Sequence, residues 1–364
     1  MKKSFLTPSI LALLFASTAH AGAVYETPIG TINLGIDAEF DFSNESNVNK
    51  IEQRTDNDAK FFNSGGRLKF LFDGQRTLEN GHFVGFNLHP IWRQDGNDNN
   101  GNAHEITLQF GVVNDWSIKA GHFEATTLSY QGQDTYFVTA NSTVYRAKQF
   151  RGRTGYPQIT FTKTLNDNFG FELTAQSRDD GSTMVARPLV TYDTDTVSMA
   201  FGFEIPVATD SSDIAGKDVA SFITANDNVK DDFNDSSKVV DDGNAWFGSA
   251  VTGIYKVTND LALNARMGYL SDKRINDNEA TSFSMGVGAQ YQNFYIATLY
   301  GARNADKNAN DTEELRIYTS YKFPSVLDLE NFDIYLGAGY TQTKIGDNSK
   351  ESAIGGRVRL KYHF

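Results

Sequence analysis

Cationic side chains alternate with apolar ones along the end of the chain. Over residues 352–364 the polar positions carry Arg357, Arg359, Lys361 and His363, and apolar residues stand between them. Successive side chains of a strand point to opposite faces, so one face would be charged and the other apolar. An Arg or Lys facing the middle of a bilayer costs about 2–4 kcal/mol, so the charged face requires water. The pattern predicts a strand between lipid and water.

The same alternation places other cations on the water-facing side of further predicted strands. The predicted interior charges are Arg67, Lys69, Arg93, Arg266, Arg316, Lys322, Arg357, Arg359 and Lys361. Alternatively, such charges could form salt bridges across a plugged interior. About eight strands enclose a packed interior and about sixteen leave an aqueous channel, so the larger number would favour water.

A second group of polar and aromatic residues lies in the long segment 124–157, which shows no sustained alternation. Its charged candidates for a constriction are Glu124, Asp134, Arg146, Lys148, Arg151 and Arg153. Its candidate solute-contacting aromatic residues are Tyr130, Tyr136 and Tyr145. Hydroxyl-rich solutes bind through hydrogen bonds to charged groups and apolar contact with rings, although the rings could instead pack the segment against a wall.

Motifs for catalysis, metal binding and nucleic-acid binding are missing from the sequence. It contains no H-E-x-x-H pair, no G-x-S-x-G turn and no cysteine. The glycine pairs at 286/288 and 337/339 lack the third glycine of a dinucleotide site. The net charge of −12 disfavours nucleic acid as a partner. We therefore predict no catalytic residues, no metal and no cofactor.

Alternating segments recur along the whole chain and predict about sixteen strands of the length that a tilted membrane strand needs. Long polar connections are expected at 44–63, 124–157 and 208–244, and the Asn/Asp/Gly run from Asp95 to Asn102 is also expected to be a loop. Short turns are expected at 114–115, 166–168, 193–195, 258–260 and 292–293. Short turns on one side and longer loops on the other are typical of outer-membrane barrels. The prediction is an all-β, transmembrane antiparallel barrel with an inward-folded third loop.

The two chain ends carry targeting signals. Residues 1–21 read as a signal peptide, with Lys2 and Lys3 before an apolar core and Ala19-His20-Ala21 before the cleavage point. Residues 22–364 would then form a single barrel domain. The terminal aromatic residues Tyr362 and Phe364 resemble the assembly signal of bacterial outer-membrane barrels. This predicts export to the outer membrane of a Gram-negative bacterium.

Several short motifs resemble the raffinose-porin-like glycoporins, a family that includes chito-oligosaccharide porins. They are Gly121-His122-Phe123-Glu124-Ala125, Gly132-Gln133-Asp134-Thr135, Tyr145-Arg146-Ala147 and Arg151-Gly152-Arg153, and the chain departs from the family at His122, where Arg is usual. The resemblance implies a homotrimeric carbohydrate porin whose third loop narrows the channel. It carries constriction roles only to Glu124, Asp134, Arg146, Arg151 and Arg153.

The sequence therefore predicts a passive outer-membrane porin for small hydrophilic solutes, oligosaccharides among them. The partners would be those solutes, outer-membrane lipid and two further copies of the chain. One alternative is a general diffusion porin for ions and small solutes. A more distant one is a barrel enzyme, or an adhesin acting through residues 208–244.

Overall fold

A computed structural model describes residues 22–49, 63–95, 98–128, 157–178, 183–209, 246–275, 278–305, 311–346 and 350–364. The strands are β1 (Ala23–Thr27), β2 (Gly30–Asn49), β3 (Asn63–Thr77), β4 (His82–Asp95), β5 (Asp98–Val112), β6 (Trp116–His122), β7 (Gln158–Thr164), β8 (Phe169–Arg178), β9 (Thr183–Asp193), β10 (Val197–Thr209), β11 (Trp246–Lys256), β12 (Leu261–Ile275), β13 (Asn278–Tyr291), β14 (Phe294–Ala305), β15 (Thr312–Phe323), β16 (Phe332–Ile345) and β17 (Glu351–His363).

Strands β2 to β17 form a closed antiparallel barrel. Each strand pairs with its neighbour in the chain, β9 pairs with β10, and β17 pairs with β2 to close the ring. The short strand β1 is not one of the sixteen strands of this ring and pairs with the start of β2. Closure matters because bilayer lipid offers no hydrogen bonds to a free strand edge. The predicted all-β barrel of about sixteen strands is confirmed.

The outer face of the barrel is apolar, as a lipid-facing surface must be. On β2, for example, Phe40 and Phe42 are exposed, whereas Glu39 between the strand's apolar positions is 3% exposed. The same alternation of exposed apolar and buried polar residues runs through β15. No helix among the described residues is long and apolar enough to cross a membrane.

The connections confirm the predicted short turns but correct three details. The expected loop from Asp95 to Asn102 is wrong, because β4 and β5 extend to leave only residues 96–97 between them. The first long polar connection begins later than expected, since β2 continues to Asn49. Strand β1 was not predicted at all. Polar residues can continue β2, β4 and β5 because strands that pair beyond the bilayer need no apolar face.

The seam between β2 and β17 is held by side chains as well as by the backbone. Arg359 donates two hydrogen bonds to Asp41, from Nε to Oδ1 at 2.6 Å and from Nη2 to Oδ2 at 2.7 Å. Lys361 Nζ lies 3.0 Å from Glu39 Oε1. On the other side of β2, Arg67 of β3 reaches the same Glu39 at 2.5 Å. The acidic column of β2 is thus enclosed by basic columns on both neighbouring strands.

The C-terminal residue completes this seam. The Phe364 amide donates to the Ile36 carbonyl at 3.0 Å, and the Phe364 carbonyl accepts from the Ile36 amide. Its ring packs on Tyr362, with ring centroids 4.9 Å apart, and is 43% exposed on the outer face. The structure therefore gives these two aromatic residues a place at the closing edge. Their predicted role in assembly stays a prediction.

We expect a charge reversal at the seam to impair closure and a reciprocal reversal to restore it. D41R would place a cation beside Arg357 and Arg359, so the folded fraction in outer membranes should fall. The double variant D41R/R359D should recover much of that loss. Heat-modifiable gel mobility measures the folded fraction, and D167R in an exposed turn is the control. A double variant that folds no better than D41R would remove the guiding role of these ion pairs.

Candidate functional site

The residues predicted to be interior charges lie on the polar face of the strands and mostly meet acidic or aromatic partners. Lys69 lies 3.7 Å from Glu105, and Lys322 lies 2.8 Å from Asp333 and 5.7 Å from the centre of the Tyr335 ring. Arg93 is exposed and lies opposite Arg67 in the β3–β4 register. The remaining contacts join Arg67 to Asp37 and Glu39, Arg266 to the Tyr318 hydroxyl, Arg316 to Glu314, Arg357 and Arg359 to Asp41, and Lys361 to Glu39. The interior charges are therefore largely paired.

The described inward charges are unevenly distributed around the barrel. The arc from β12 to β17 is mainly cationic: it carries Arg266, Arg303, Arg316, Lys322, Arg357, Arg359 and Lys361, against Glu314 and Asp333. The arc from β2 to β10 has a small acidic excess: it carries Asp37, Glu39, Asp41, Asp73, Glu105, Glu172 and Glu204, against Arg67, Lys69, Arg93, Lys119 and Arg187. Because water between the arcs screens charge over about 8 Å, an ion in the lumen would respond mainly to the nearer wall.

A cavity of about 730 Å³ lies beside the wall formed by β3 to β8 and is also lined by residues of β2 and of β9 to β11. Its polar lining includes Asp73, Asn87, Glu105, Gln109 and Lys119, and Phe123 provides a ring. Carboxylate, amide and ammonium groups thus face one space, so a bound molecule would meet both hydrogen-bond donors and acceptors.

His89 links two of the carboxylates that line this cavity. Its Nε2 atom lies 2.7 Å from Asp73 Oδ1, and its Nδ1 atom lies 3.2 Å from Glu105 Oε2. The two carboxylates are on opposite sides of the imidazole ring, so they cannot share one metal ion with it. Accordingly, no group of metal ligands is found within the ranges that the structure describes.

The chain leaves β6 along the inner wall. Gln158 Nε2 donates to the Phe123 carbonyl at 2.7 Å, and Thr126 Oγ1 donates to Glu172 at 2.6 Å. Leu128 is fully buried in a cluster with Val185, Leu189, Ala200, Ala250 and Leu270. Residues 123–128 therefore lie against the inner faces of β7 to β12, and Glu124 lines the cavity.

Most of the predicted constriction falls outside the described residues. Those positions are Asp134, Arg146, Lys148, Arg151 and Arg153, together with the aromatic residues Tyr130, Tyr136 and Tyr145. Of the charged set, the structure places Glu124 alone, at the cavity. The inward fold of the rest of this loop stays a prediction.

A tyrosine pair occupies the opposite wall. The rings of Tyr295 and Tyr318 are 6.0 Å apart, and their hydroxyl groups bond to Asn264 and Arg266 respectively. A Cβ atom at Gly288 would lie 2.5 Å from the Tyr295 hydroxyl, so glycine is required there. At this position, glycine makes room for a neighbouring ring rather than for solute.

Sequence reasoning missed several interior residues, notably His89, Glu172, Arg187 and Glu204. On β9 Val185 and Leu189 flank Arg187 on the inner face, so the middle of this strand shows no clear alternation of polar and apolar residues. Glu172 and Arg187 do stand at alternating positions near the middle of their strands, which was the available signal.

The comparisons with known proteins decide the family. A family model described as "Porin-like glycoporin RafY" matches residues 34–364. The chain belongs to this porin family. The suspected resemblance is confirmed, and no curated protein matches the sequence.

Solved porin structures share the barrel at low sequence identity. The anion-selective porin from Comamonas acidovorans is 14% identical, with 92% of this chain and all of that chain covered and a TM-score of 0.60. The outer membrane protein OmpT of Vibrio cholerae is 13% identical, with 93% and 99% covered and a TM-score of 0.60. The outer membrane channel DcaP of Acinetobacter baumannii is 12% identical, with 93% and 100% covered and a TM-score of 0.58.

Family and fold together identify an outer-membrane porin, a barrel in contact with lipid that lets solutes pass. They are those of a channel rather than of an enzyme. The paired interior charges, the cavity and residues 123–128 are accordingly parts of the porin's lumenal wall.

We expect Lys119 to influence ion selectivity because its ammonium group faces a cavity rich in carboxylates. K119M removes that positive charge, so the zero-current potential in a potassium chloride gradient should move toward cation preference. K163M is the matched control, since Lys163 pairs with Asp115 at a turn outside the cavity. Equal shifts in the two variants would show that the cavity does not control selectivity.

Proposed function

We propose that this porin admits small hydrophilic solutes, including oligosaccharides, through the lumenal cavity beside β3 to β8. The observation that carries the proposal is the lining of that cavity, where donors and acceptors lie next to the Phe123 ring. Its volume of about 730 Å³ falls within the range of about 300–1,000 Å³ that is usual for small-molecule sites.

The chemistry of the lining suits hydroxyl groups. A sugar hydroxyl both donates and accepts, so it can donate to Asp73 or Glu105 and accept from Lys119 or the Gln109 amide. Lys119 also lies 4.6 Å from the centre of the Phe123 ring, which places a cation and an apolar surface side by side. A small ion would interact with a single charged group of the lining, whereas a sugar would use the carboxylates, the hydrogen-bond donors and the ring together.

The second candidate is a general diffusion porin without a sugar site. The paired charges on both arcs favour it, because a polar wall around the whole lumen passes ions and small solutes alike. A saturable, reversible block of ion current by sugars separates the two functions, since only a binding site produces it.

We further propose a homotrimer in the outer membrane of a Gram-negative bacterium, exported through residues 1–21 and built from one domain over residues 22–364. Planar-bilayer insertions should show conductance steps in threes, and the purified protein should begin at Gly22. Single conductance steps would instead indicate independent channels.

We expect Gln109 to contribute to sugar binding. Q109L removes an amide from the cavity while nearly preserving its volume, so the sugar concentration that blocks half of the current should rise about five- to tenfold, the equivalent of one hydrogen bond. The matched control is Q290L, because the Gln290 amide bonds to the Gln292 carbonyl at a turn. An unchanged sugar block in Q109L would exclude this cavity as the sugar site.

We also expect Arg146, Arg151 and Arg153 to contribute to ion selectivity, on the proposal that their loop folds inward. Neutralising all three should change conductance and the zero-current potential while the barrel still assembles. The comparison is a variant in which the Asp residues of 208–244 are neutralised, where better screening should give a smaller shift. A larger shift in the 208–244 variant would place the control of permeation in the outer vestibule.

A further inference from the structure

A buried charge cluster joins residues 123–128 to the barrel wall. Glu172 Oε2 accepts from Thr126 Oγ1 at 2.6 Å and, at 3.4 Å, from the Thr126 backbone amide. Arg187 donates to the Thr126 carbonyl and, at 3.2 Å, to Glu172 Oε1. Arg187 Nε also lies 3.4 Å from Glu204. One residue of the segment is therefore held at its amide, hydroxyl and carbonyl groups.

Arg187 and Glu204 lie too deep for a direct contact with solute, and only Glu172 reaches the cavity lining. The side chains of Arg187 and Glu204 are fully buried, and that of Glu172 is 5% exposed. Burying charges carries a large desolvation penalty that well-packed apolar residues avoid. The barrel ladder does not depend on them either, because strand pairing uses backbone groups. The remaining role for these charged side chains is to fix the position of Thr126.

Two further attachments fix the segment on either side of Thr126. Gln176 donates to Gln158 at 2.8 Å, and Gln158 in turn donates to the Phe123 carbonyl. Leu128 fills the apolar cluster on β9 to β12 and is 0% exposed. The segment is thus held at its start, its middle and its end.

The held segment forms part of the cavity wall, from Phe123 to Thr127. Any displacement of these residues changes the cross-section available to a solute. A tight attachment would keep that cross-section constant, and a loosened attachment would let it fluctuate.

We propose that Glu172, Arg187 and Glu204 are positioning residues for permeation, which set the lumenal cross-section by holding Thr126 to the wall. The proposal rests on the porin function but not on the passage of sugars. Arg187 and Glu204 act through the segment without lining the cavity, whereas Glu172 lines the cavity and also holds Thr126.

The mildest test is T126V, which removes the hydroxyl donor and keeps the shape of the side chain. T107V is the matched control, because the Thr107 hydroxyl donates to Asn87 of β4 at 2.8 Å rather than to the cluster that holds Thr126. E172Q, which keeps the shape and removes the charge, is the second variant. Heat-modifiable gel mobility establishes that each porin is folded before recording.

Two measurements follow the position of the segment. Single-channel recording should show a larger or noisier conductance in T126V and E172Q than in the parent and T107V. Since the chain has no cysteine, L128C introduces a single thiol, and its modification by a small water-soluble reagent reports release of the segment. A hydrogen bond to a charged group corresponds to about a tenfold change or more in an equilibrium constant, so the thiol should react about tenfold faster with T126V present.

The outcomes are distinct. Faster thiol modification and altered conductance in T126V, with T107V like the parent, support the proposal. The proposal is overturned if folded T126V and E172Q conduct like the parent and if their L128C versions react no faster than L128C alone. If sugars fail to block the parent while T126V still alters conductance, the sugar proposal fails and the positioning role stands.

Discussion

Closure of the barrel between β2 and β17 is the constraint on which the rest of the structure depends. An open edge in lipid leaves backbone N–H and C=O groups without partners, each at a cost of several kcal/mol. The lumen and its wall exist only once this pair is made. The charges of Asp41 and Arg359 then add a side-chain match to a backbone ladder that any two strands could form. Strands β2 and β17, the first and last strands of the ring, are the pair that must find each other across the chain.

Enclosing water allows the barrel to carry many charged side chains, and pairing limits what those charges do. Arg67, Lys361 and Arg359 all lie near Glu39. The field that these side chains produce in the lumen therefore depends mainly on the net charge of the whole group. Permeating ions would respond to the unequal arcs rather than to the number of arginines. The same pairing makes Arg187 available as an internal anchor, since a buried cation with two carboxylate neighbours has few alternative positions.

Sequence patterns predicted the strand number, the outward aromatic residues, most turns and the family. They succeeded where a property is local, as in the tight turn at Asn114-Asp115. They failed at Asp95–Asn102, where loop-forming residues continue a hairpin because its strands pair beyond the apolar zone. They also missed Arg187, since Val185 and Leu189 make the inner face of β9 resemble an outer one. For Asp134, Arg146 and their neighbours, the role in a constriction stays a prediction.

The sequence by itself determined which residues of most strands face water, because the period of two is a property of each extended segment alone. Only the tertiary structure decided which of those residues meet. Arg359 and Asp41 are 318 positions apart, and the contact between Thr126 and Glu172 joins a segment to a strand beyond its neighbour. Such contacts depend on register and closure around the ring. These are set by the pairing of all sixteen strands together, and no single stretch of sequence contains them.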